Sequence, residues 1–148
     1  MGIQNIDRLM ETAKKIYFVG IGGISMVSLS LLTAKKGYTV ALASSTRTAV
    51  VYKELKEAGL FDYFKTITCG DMVMHSKPDP EIYLKACKSV NVEPYLACCV
   101  EDSPNGIMSA YNAGMKPLMV PDQIEPSADL IQKLWKLCKS LKDLENIF

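Results

Sequence analysis

Short apolar runs alternate with longer amphipathic segments along most of the chain. Runs this short and this apolar are typical of strands buried on both faces of a parallel sheet. The pattern therefore predicts β-strands, each followed by a helix. The predicted strands are IYFVG (16–20), YTVALAS (38–44), KTITC (65–69), LACCVED (96–102) and KPLMV (116–120).

Residues that start and stop helices lie between these runs. Gly37 and Gly59 are placed to end helices, whereas Asp79–Pro80, Ser103–Pro104 and Ser127 are placed to start them. The predicted helices cover a leading segment capped by Asn5, residues 24–36, 48–58, a segment after 80, 104–113, 128–138 and 141–148.

Alternation of strand and helix predicts an α/β fold in which helices cover both faces of the sheet. We expect a doubly wound, five-stranded parallel sheet in a Rossmann-like three-layer sandwich. No linker or repeat interrupts the pattern, so residues 1–148 are expected to form a single α/β domain. In such sheets, ligands bind beyond the carboxyl ends of the strands.

Composition narrows the possible partners. The formal net charge of the 148 residues is +1, and no basic patch predicts nucleic-acid binding. No segment approaches the roughly 18 apolar residues of a membrane span, and the amino-terminal residues lack a signal core, so a cytoplasmic location is expected. The five cysteines are an odd number without a C-x-x-C pair, which predicts reduced core thiols.

Polar side chains gather where the predicted strands end. Hydroxyl groups and an ammonium group can hold phosphate oxygens, and carboxylates can hold a hard cation such as Mg²⁺. One edge of the sheet is thus a candidate phosphate and magnesium site. Its residues are Ser44, Ser45, Thr46, Lys77, Glu101 and Asp102.

A second candidate phosphate site is the glycine-rich turn after the first strand. Gly20, Gly22 and Gly23 lie between that strand and a predicted helix, where backbone amides could cradle an anion. The alternative is a tight turn in which glycine only permits the backbone geometry. Alternatives also exist for the other residues: the hydroxyls of 44–46 and the carboxylates of 101–102 could serve helix starts, and Lys77 could be an ordinary surface lysine.

From about residue 37 to 148 the chain resembles the core of haloacid dehalogenase superfamily hydrolases related to β-phosphoglucomutase. The stretches VALASST, HSKPDPEIY and CVEDSPNGIMSAYNAG carry the resemblance, each at a strand end. It implies that Ser44 binds the transferring phosphoryl group, that Lys77 neutralises it, and that Glu101 and Asp102 serve a magnesium site.

Two features of that superfamily are missing. Its members begin with a strand ending in D-x-D, whose first aspartate attacks phosphorus, and a cap domain usually follows before the second motif. Here residues 16–46 contain no aspartate or glutamate, and about 20 residues separate the first two strand ends. No cap domain is therefore expected, and magnesium is expected to bind only weakly because ligands are lost.

The opening unit instead resembles Mur ligases, especially UDP-N-acetylmuramate–alanine ligase. The resemblance lies in IYFVGIGGISMVSLSLLTAKKGYTV and covers roughly residues 1–40. It suggests a chimera, natural or engineered, in which a Mur ligase-like segment (1–40) joins a haloacid dehalogenase-like segment (41–148). Exchange of the first unit would explain the missing aspartates.

The prediction from sequence is therefore a non-catalytic α/β scaffold with a vestigial phosphate and magnesium rim, because no carboxylate can attack phosphorus from the first strand. One alternative is residual Mg²⁺-dependent phosphatase activity through metal-activated water. Another is binding of phosphate or a nucleotide at the glycine-rich turn. An uncovered apolar rim would also favour a homodimer.

Overall fold

A computed structural model describes residues 15–19 and 37–147 of the chain. The elements appear in the predicted alternating order. The strands are β1 (Lys15–Val19), β2 (Thr39–Ser44), β3 (Thr66–Cys69), β4 (Cys98–Glu101), β5 (Lys116–Met119) and β6 (Lys136–Leu137). The α-helices are α1 (Thr48–Glu57), α2 (Glu81–Ser89), α3 (Pro104–Asn112) and α4 (Ala128–Ile131), and 3₁₀ turns cover Phe61–Tyr63, Gly70–Met72, Pro94–Leu96 and Leu141–Asn146.

The strands form one parallel sheet in the order β3-β2-β1-β4-β5-β6. The chain starts in the middle of the sheet, runs outward to β3, and then crosses back to β4 on the other side of β1. This is the strand order of a doubly wound Rossmann-like sheet. The predicted fold class is confirmed, with six strands in place of the expected five. The strand order reverses between β1 and β4, where ligands bind in such folds.

Alternate residues of β2 and β4 pack on opposite faces of the sheet. In β2, Val40 and Leu42 join a cluster with α1, whereas Ala41 and Ala43 join a cluster with α2 and α3. The neighbouring thiols of β4 likewise divide between the two clusters. All five cysteines are buried and free of disulfide bonds, as expected for core thiols.

The carboxyl-terminal segment differs from the prediction. The apolar spacing predicts a helix over 128–138, but α4 ends at Ile131 and residues 136–137 form β6 instead. The backbone N–H groups of Trp135 and Cys138 donate to the carbonyls of Pro117 and Met119 at 2.7 and 2.9 Å. The open edge of β5 therefore gains hydrogen-bond partners, which a helix at this position would not supply.

Several predicted features lie outside the described residues: the leading helix, the helix over 24–36, and the glycine turn with Gly20, Gly22 and Gly23. Among the described helices, none is long and apolar enough to cross a lipid bilayer.

Candidate active site

A cavity of about 660 Å³ opens at the carboxyl ends of the central strands. It contains every residue of the predicted rim, together with five others. Its lining is Ser44, Ser45, Thr46, Ser76, Lys77, Glu101, Asp102, Ser103, Pro104, Asn105 and Ile124. The hydroxyls, the ammonium group and the two carboxylates come from separate parts of the sequence and line one open cavity.

The hydroxyl loop at the end of β2 is held tightly. Ser44 is buried, and its side-chain oxygen accepts a hydrogen bond from the backbone N–H of Thr46 at 3.2 Å. The N–H of Gly70 donates to the carbonyl of Thr46 at 3.0 Å. A β-carbon on Gly70 would overlap the backbone of Ser45, so glycine lets the two loops approach closely.

The hydroxyls of this loop do not cap α1. The residue that precedes the helix is Arg47, and the N–H and hydroxyl of Thr48 both donate to the Asp71 carboxylate, at 3.0 and 2.7 Å. The hydrogen bonds from Thr48 lower the pKa of Asp71. The Asp71 side chain, from another loop, therefore binds the N–H group at the start of the helix, and Ser45 and Thr46 line the cavity.

Lys77 and Glu101 form an ion pair beneath the cavity. The Lys77 Nζ lies 2.9 Å from Glu101 Oε1, and the two side chains are only 9% and 2% exposed. A surface lysine, the alternative considered from the sequence, would be solvated instead. Because a buried charge is costly without a partner, each residue fixes the other in place.

Of the described residues, five donor groups reach the Glu101 carboxylate. Lys77 Nζ and the Tyr83 hydroxyl approach Oε1, at 2.9 and 3.4 Å. The N–H groups of Asp102 and Ser103 and the Ser103 hydroxyl donate to Oε2, at 2.9, 3.1 and 3.2 Å. Burial acts to raise the pKa of Glu101, but Lys77 and these hydrogen bonds outweigh it, so the pKa lies below its ordinary value and the carboxylate is charged.

Asp102 sits in a different environment at the cavity wall. Burial and the adjacent Glu101 carboxylate raise the pKa of Asp102 to about 6, and the charge of Asp122 adds to the effect. The negative form of Asp102 is thus unfavourable in this environment. A bound cation would relieve that cost by neutralising the local excess of negative charge.

The donor set fits a hard divalent cation such as Mg²⁺, which prefers oxygen ligands and keeps several waters. Asp102 has the half-buried, cavity-facing carboxylate, and the hydroxyls of Ser44 and Ser45 supply further oxygens. Glu101 is placed differently, since its oxygens are already occupied by the donors described above. Its role as a direct metal ligand stays a prediction, and Asp102 is the better placed of the two.

His75, Asp79 and Glu81 form a second group of potential ligands, outside the cavity lining. The Glu81 carboxylate accepts from the N–H groups of Met74 and His75 at 2.8 and 2.9 Å, and it lies 2.8 Å from His75 Nδ1. These bonds satisfy the loop backbone before α2. The group is accounted for by that structural role.

The sequence reasoning missed three residues that shape the site. Tyr83 lies behind the ion pair. Ser103 caps α3 through the Gly106 N–H at 3.1 Å, as predicted, but its contact with Glu101 was not foreseen. Gly106 lies so close that a β-carbon there would overlap the Glu101 carboxylate. Glycine in the first turn of a helix was the available signal, because this position otherwise favours residues with better helix propensity.

A family model of haloacid dehalogenase-like hydrolases matches residues 4–120. The chain belongs to this family. The matched range includes the glycine-rich turn and residue 40, where the sequence suggested a junction between two parents.

Curated and solved relatives agree with this assignment. YhcW of Bacillus subtilis, whose name describes a phosphatase, is 43% identical over 60% of this chain and 40% of its own length. A Thermotoga maritima protein assigned as a β-phosphoglucomutase superposes with a TM-score of 0.72, at 28% identity over 85% of this chain and 61% of that one. CbbY of Rhodobacter sphaeroides, solved with phosphate, gives 0.70 and 28%, over 82% and 55%. The chain therefore spans less than two thirds of the length of each of these relatives.

These findings correct two predictions made from the sequence. The Mur ligase-like unit and the chimera are wrong, because one hydrolase model covers the supposed junction. The non-catalytic scaffold is also wrong as the main interpretation, because the family consists of hydrolases and YhcW carries a phosphatase name. A strand, a glycine turn and a helix recur in many α/β families, so one such unit did not identify a parent.

Proposed function

We propose that the chain acts as a Mg²⁺-dependent phosphatase on small phosphorylated molecules. One observation carries the proposal: the ammonium of Lys77, fixed by buried Glu101, lines the same cavity as Asp102 and the hydroxyls of Ser44 and Ser45. An anion and a cation would both find complementary charge there. The family and the phosphate-bound relative support this choice.

The described residues suggest how a phosphate group would be held. The Lys77 ammonium would offset the charge on the phosphoryl oxygens, and it keeps donors beyond the one directed at Glu101. The hydroxyls of Ser44 and Ser45 would donate to further oxygens. Pro104 and Asn105, in the first turn of α3, line the cavity, so the positive end of the helix dipole faces the same space.

Asp102 would hold the metal ion, with hydroxyl and water oxygens completing the set. When bound, Mg²⁺ polarises phosphoryl oxygens and lowers the pKa of bound water. Because residues 16–46 contain no carboxylate, we assign the attacking oxygen to water. The water oxygen bonds to phosphorus, the ester P–O bond breaks, and the proton lost by water passes to the leaving alkoxide through solvent.

Asp102→Asn tests the proposal by phosphate release from p-nitrophenyl phosphate in the presence of Mg²⁺. We expect turnover to fall about 100-fold or more, because the substitution removes the carboxylate proposed to hold the metal. The matched control is Asp129→Asn on α4, outside the cavity lining, where the Asp129 side chain is 83% exposed and pairs with Lys133. Turnover of the control should equal that of the original chain.

Stability measured on the same samples separates lost chemistry from unfolding. The pKa of Asp102 is raised from 3.8 to about 6, so folding favours its protonated form, and the folded state loses stability as pH rises through that interval. Asparagine has no charge to bury, so the variant should be at least as stable as the original chain at pH 7.5 without metal. Mg²⁺-dependent turnover that persists in Asp102→Asn, or is absent from the original chain, would contradict the proposal.

A further inference from the structure

Tyr83 lies behind the Lys77–Glu101 pair and is fully buried in the cluster between the sheet and helices α2 and α3. Its hydroxyl is 3.4 Å from Glu101 Oε1, the same oxygen that accepts a hydrogen bond from Lys77 Nζ. Its ring lies beneath the ammonium, with Nζ 5.3 Å from the ring centroid. One side chain therefore contacts both members of the ion pair.

A second contact determines where the Tyr83 proton goes. The Cys99 thiol is 3.0 Å from the Tyr83 oxygen and is paired with it as donor. Because the hydroxyl oxygen accepts from the thiol, its own single proton is available for Glu101. The chain of contacts runs from Cys99 through Tyr83 to Glu101 and then to Lys77.

We propose that Tyr83 is a positioning residue that holds the Lys77 ammonium at the phosphate site, through the Glu101 carboxylate and through its own ring. The inference rests on the proposed function. Without the hydroxyl, Glu101 Oε1 keeps only Lys77 as a described partner, so the carboxylate can tilt about Oε2, which the donors of residues 102 and 103 still hold. The ammonium would follow it, because the pair is buried and the two charges stay together.

Tyr83→Phe isolates the hydroxyl, because phenylalanine keeps the ring beneath Lys77. We expect binding of inorganic phosphate in the presence of Mg²⁺, measured by titration calorimetry, to weaken about 3- to 10-fold, the range that one hydrogen bond contributes. Mg²⁺ affinity in the absence of phosphate should not change, since Asp102 does not contact Tyr83 among the described bonds. A role limited to packing would not separate the two ligands in this way.

Ile82→Val is the matched control. Ile82 is the neighbouring buried residue on α2, and its loss of one methylene lowers stability without touching the ion pair. Phosphate affinity in this variant should stay at the original value. Equal phosphate affinity in Tyr83→Phe and Ile82→Val would overturn the inference, whereas failure of the original chain to bind phosphate at all would instead refute the proposed function.

Discussion

Replacing Lys77 by methionine is expected to lower the free energy of unfolding by about 3–5 kcal/mol at pH 7.5. Methionine fits the space of the aliphatic stem, so the loss comes from charge and not from a cavity. The Glu101 carboxylate, 2% exposed, would keep its hydrogen bonds but lose its only described cation. Urea denaturation monitored by circular dichroism gives the free energy directly.

The pH dependence of that loss identifies its origin. Lys77 helps to hold the pKa of Glu101 below its ordinary value. The ion pair therefore stabilises the folded state at pH values above the ordinary carboxylate pKa, and this stabilisation is lost as the pH falls through the lowered pKa. Without Lys77, burial raises the pKa of Glu101, and protonation then relieves the cost. The difference between Lys77→Met and the original chain should therefore shrink between pH 7.5 and pH 5.

The double variant Lys77→Met, Glu101→Gln is the control for this prediction. Glutamine keeps the shape of the glutamate side chain and carries no charge, so the double variant has no unpaired buried charge at position 101. Its stability should exceed that of Lys77→Met at pH 7.5. A loss below about 1 kcal/mol for the single variant, as for an exposed pair, would contradict the burial of this ion pair.

Gly106→Ala is the second substitution for which a large effect is expected, and its sign is the reverse of the usual one. Alanine in place of glycine inside a helix ordinarily adds up to about 1 kcal/mol of stability. Here the added β-carbon would overlap the Glu101 carboxylate, whose position is fixed by Lys77 and by backbone donors. We expect a net loss of about 1–3 kcal/mol, as for overpacked cores, with lower phosphatase activity because the ion pair must shift.

Truncating Glu101 tests the stated cause. In a chain with Glu101→Ala the overlapping atoms are gone, so adding Gly106→Ala should no longer destabilise and should recover the ordinary gain of alanine in a helix. A double-mutant cycle from thermal or urea unfolding gives the coupling energy between the two positions. If Gly106→Ala costs the same with and without the Glu101 carboxylate, the close approach is not the reason for the glycine.

The order of elements and the location of the site could be predicted from the sequence because both depend on local patterns. Apolar runs of strand length, proline-containing helix starts and glycine stops define a parallel sheet, and parallel sheets place polar residues of successive loops at one edge. Ser44, Lys77 and Asp102 could thus be assigned to one rim. The structure brings them to one cavity.

The different environments of the neighbouring Glu101 and Asp102 carboxylates could not be predicted in the same way. Glu101 and Asp102 are adjacent in sequence, but Glu101 is the buried last residue of β4 and contacts Tyr83, whereas Asp102 follows the strand and is only half-buried in the cavity lining. Burial and partners then separate their pKa values in opposite directions. Such differences come from tertiary contacts, which residue type and spacing do not contain.

Tertiary contacts also determine the secondary structure of the carboxyl-terminal segment, which the sequence pattern did not predict. Leu130, Leu134 and Leu137 have helical spacing, yet Leu137 lies in a strand and is 45% exposed. The unpaired edge of β5 supplied the decisive interaction, because backbone groups there need partners. The spacing of apolar residues does not show whether an unpaired strand edge lies nearby.

The central claim is that a cation at Asp102 and a phosphate at Lys77 share one cavity. The most direct measurement is the affinity for inorganic phosphate, determined by titration calorimetry with and without Mg²⁺, for the original chain and for Asp102→Asn. We predict that Mg²⁺ tightens phosphate binding at least about 5-fold in the original chain and has no effect in the variant, as for two coupled sites. The account would be contradicted if the phosphate affinity of the original chain were the same with and without Mg²⁺, or if Mg²⁺ still raised the phosphate affinity of Asp102→Asn.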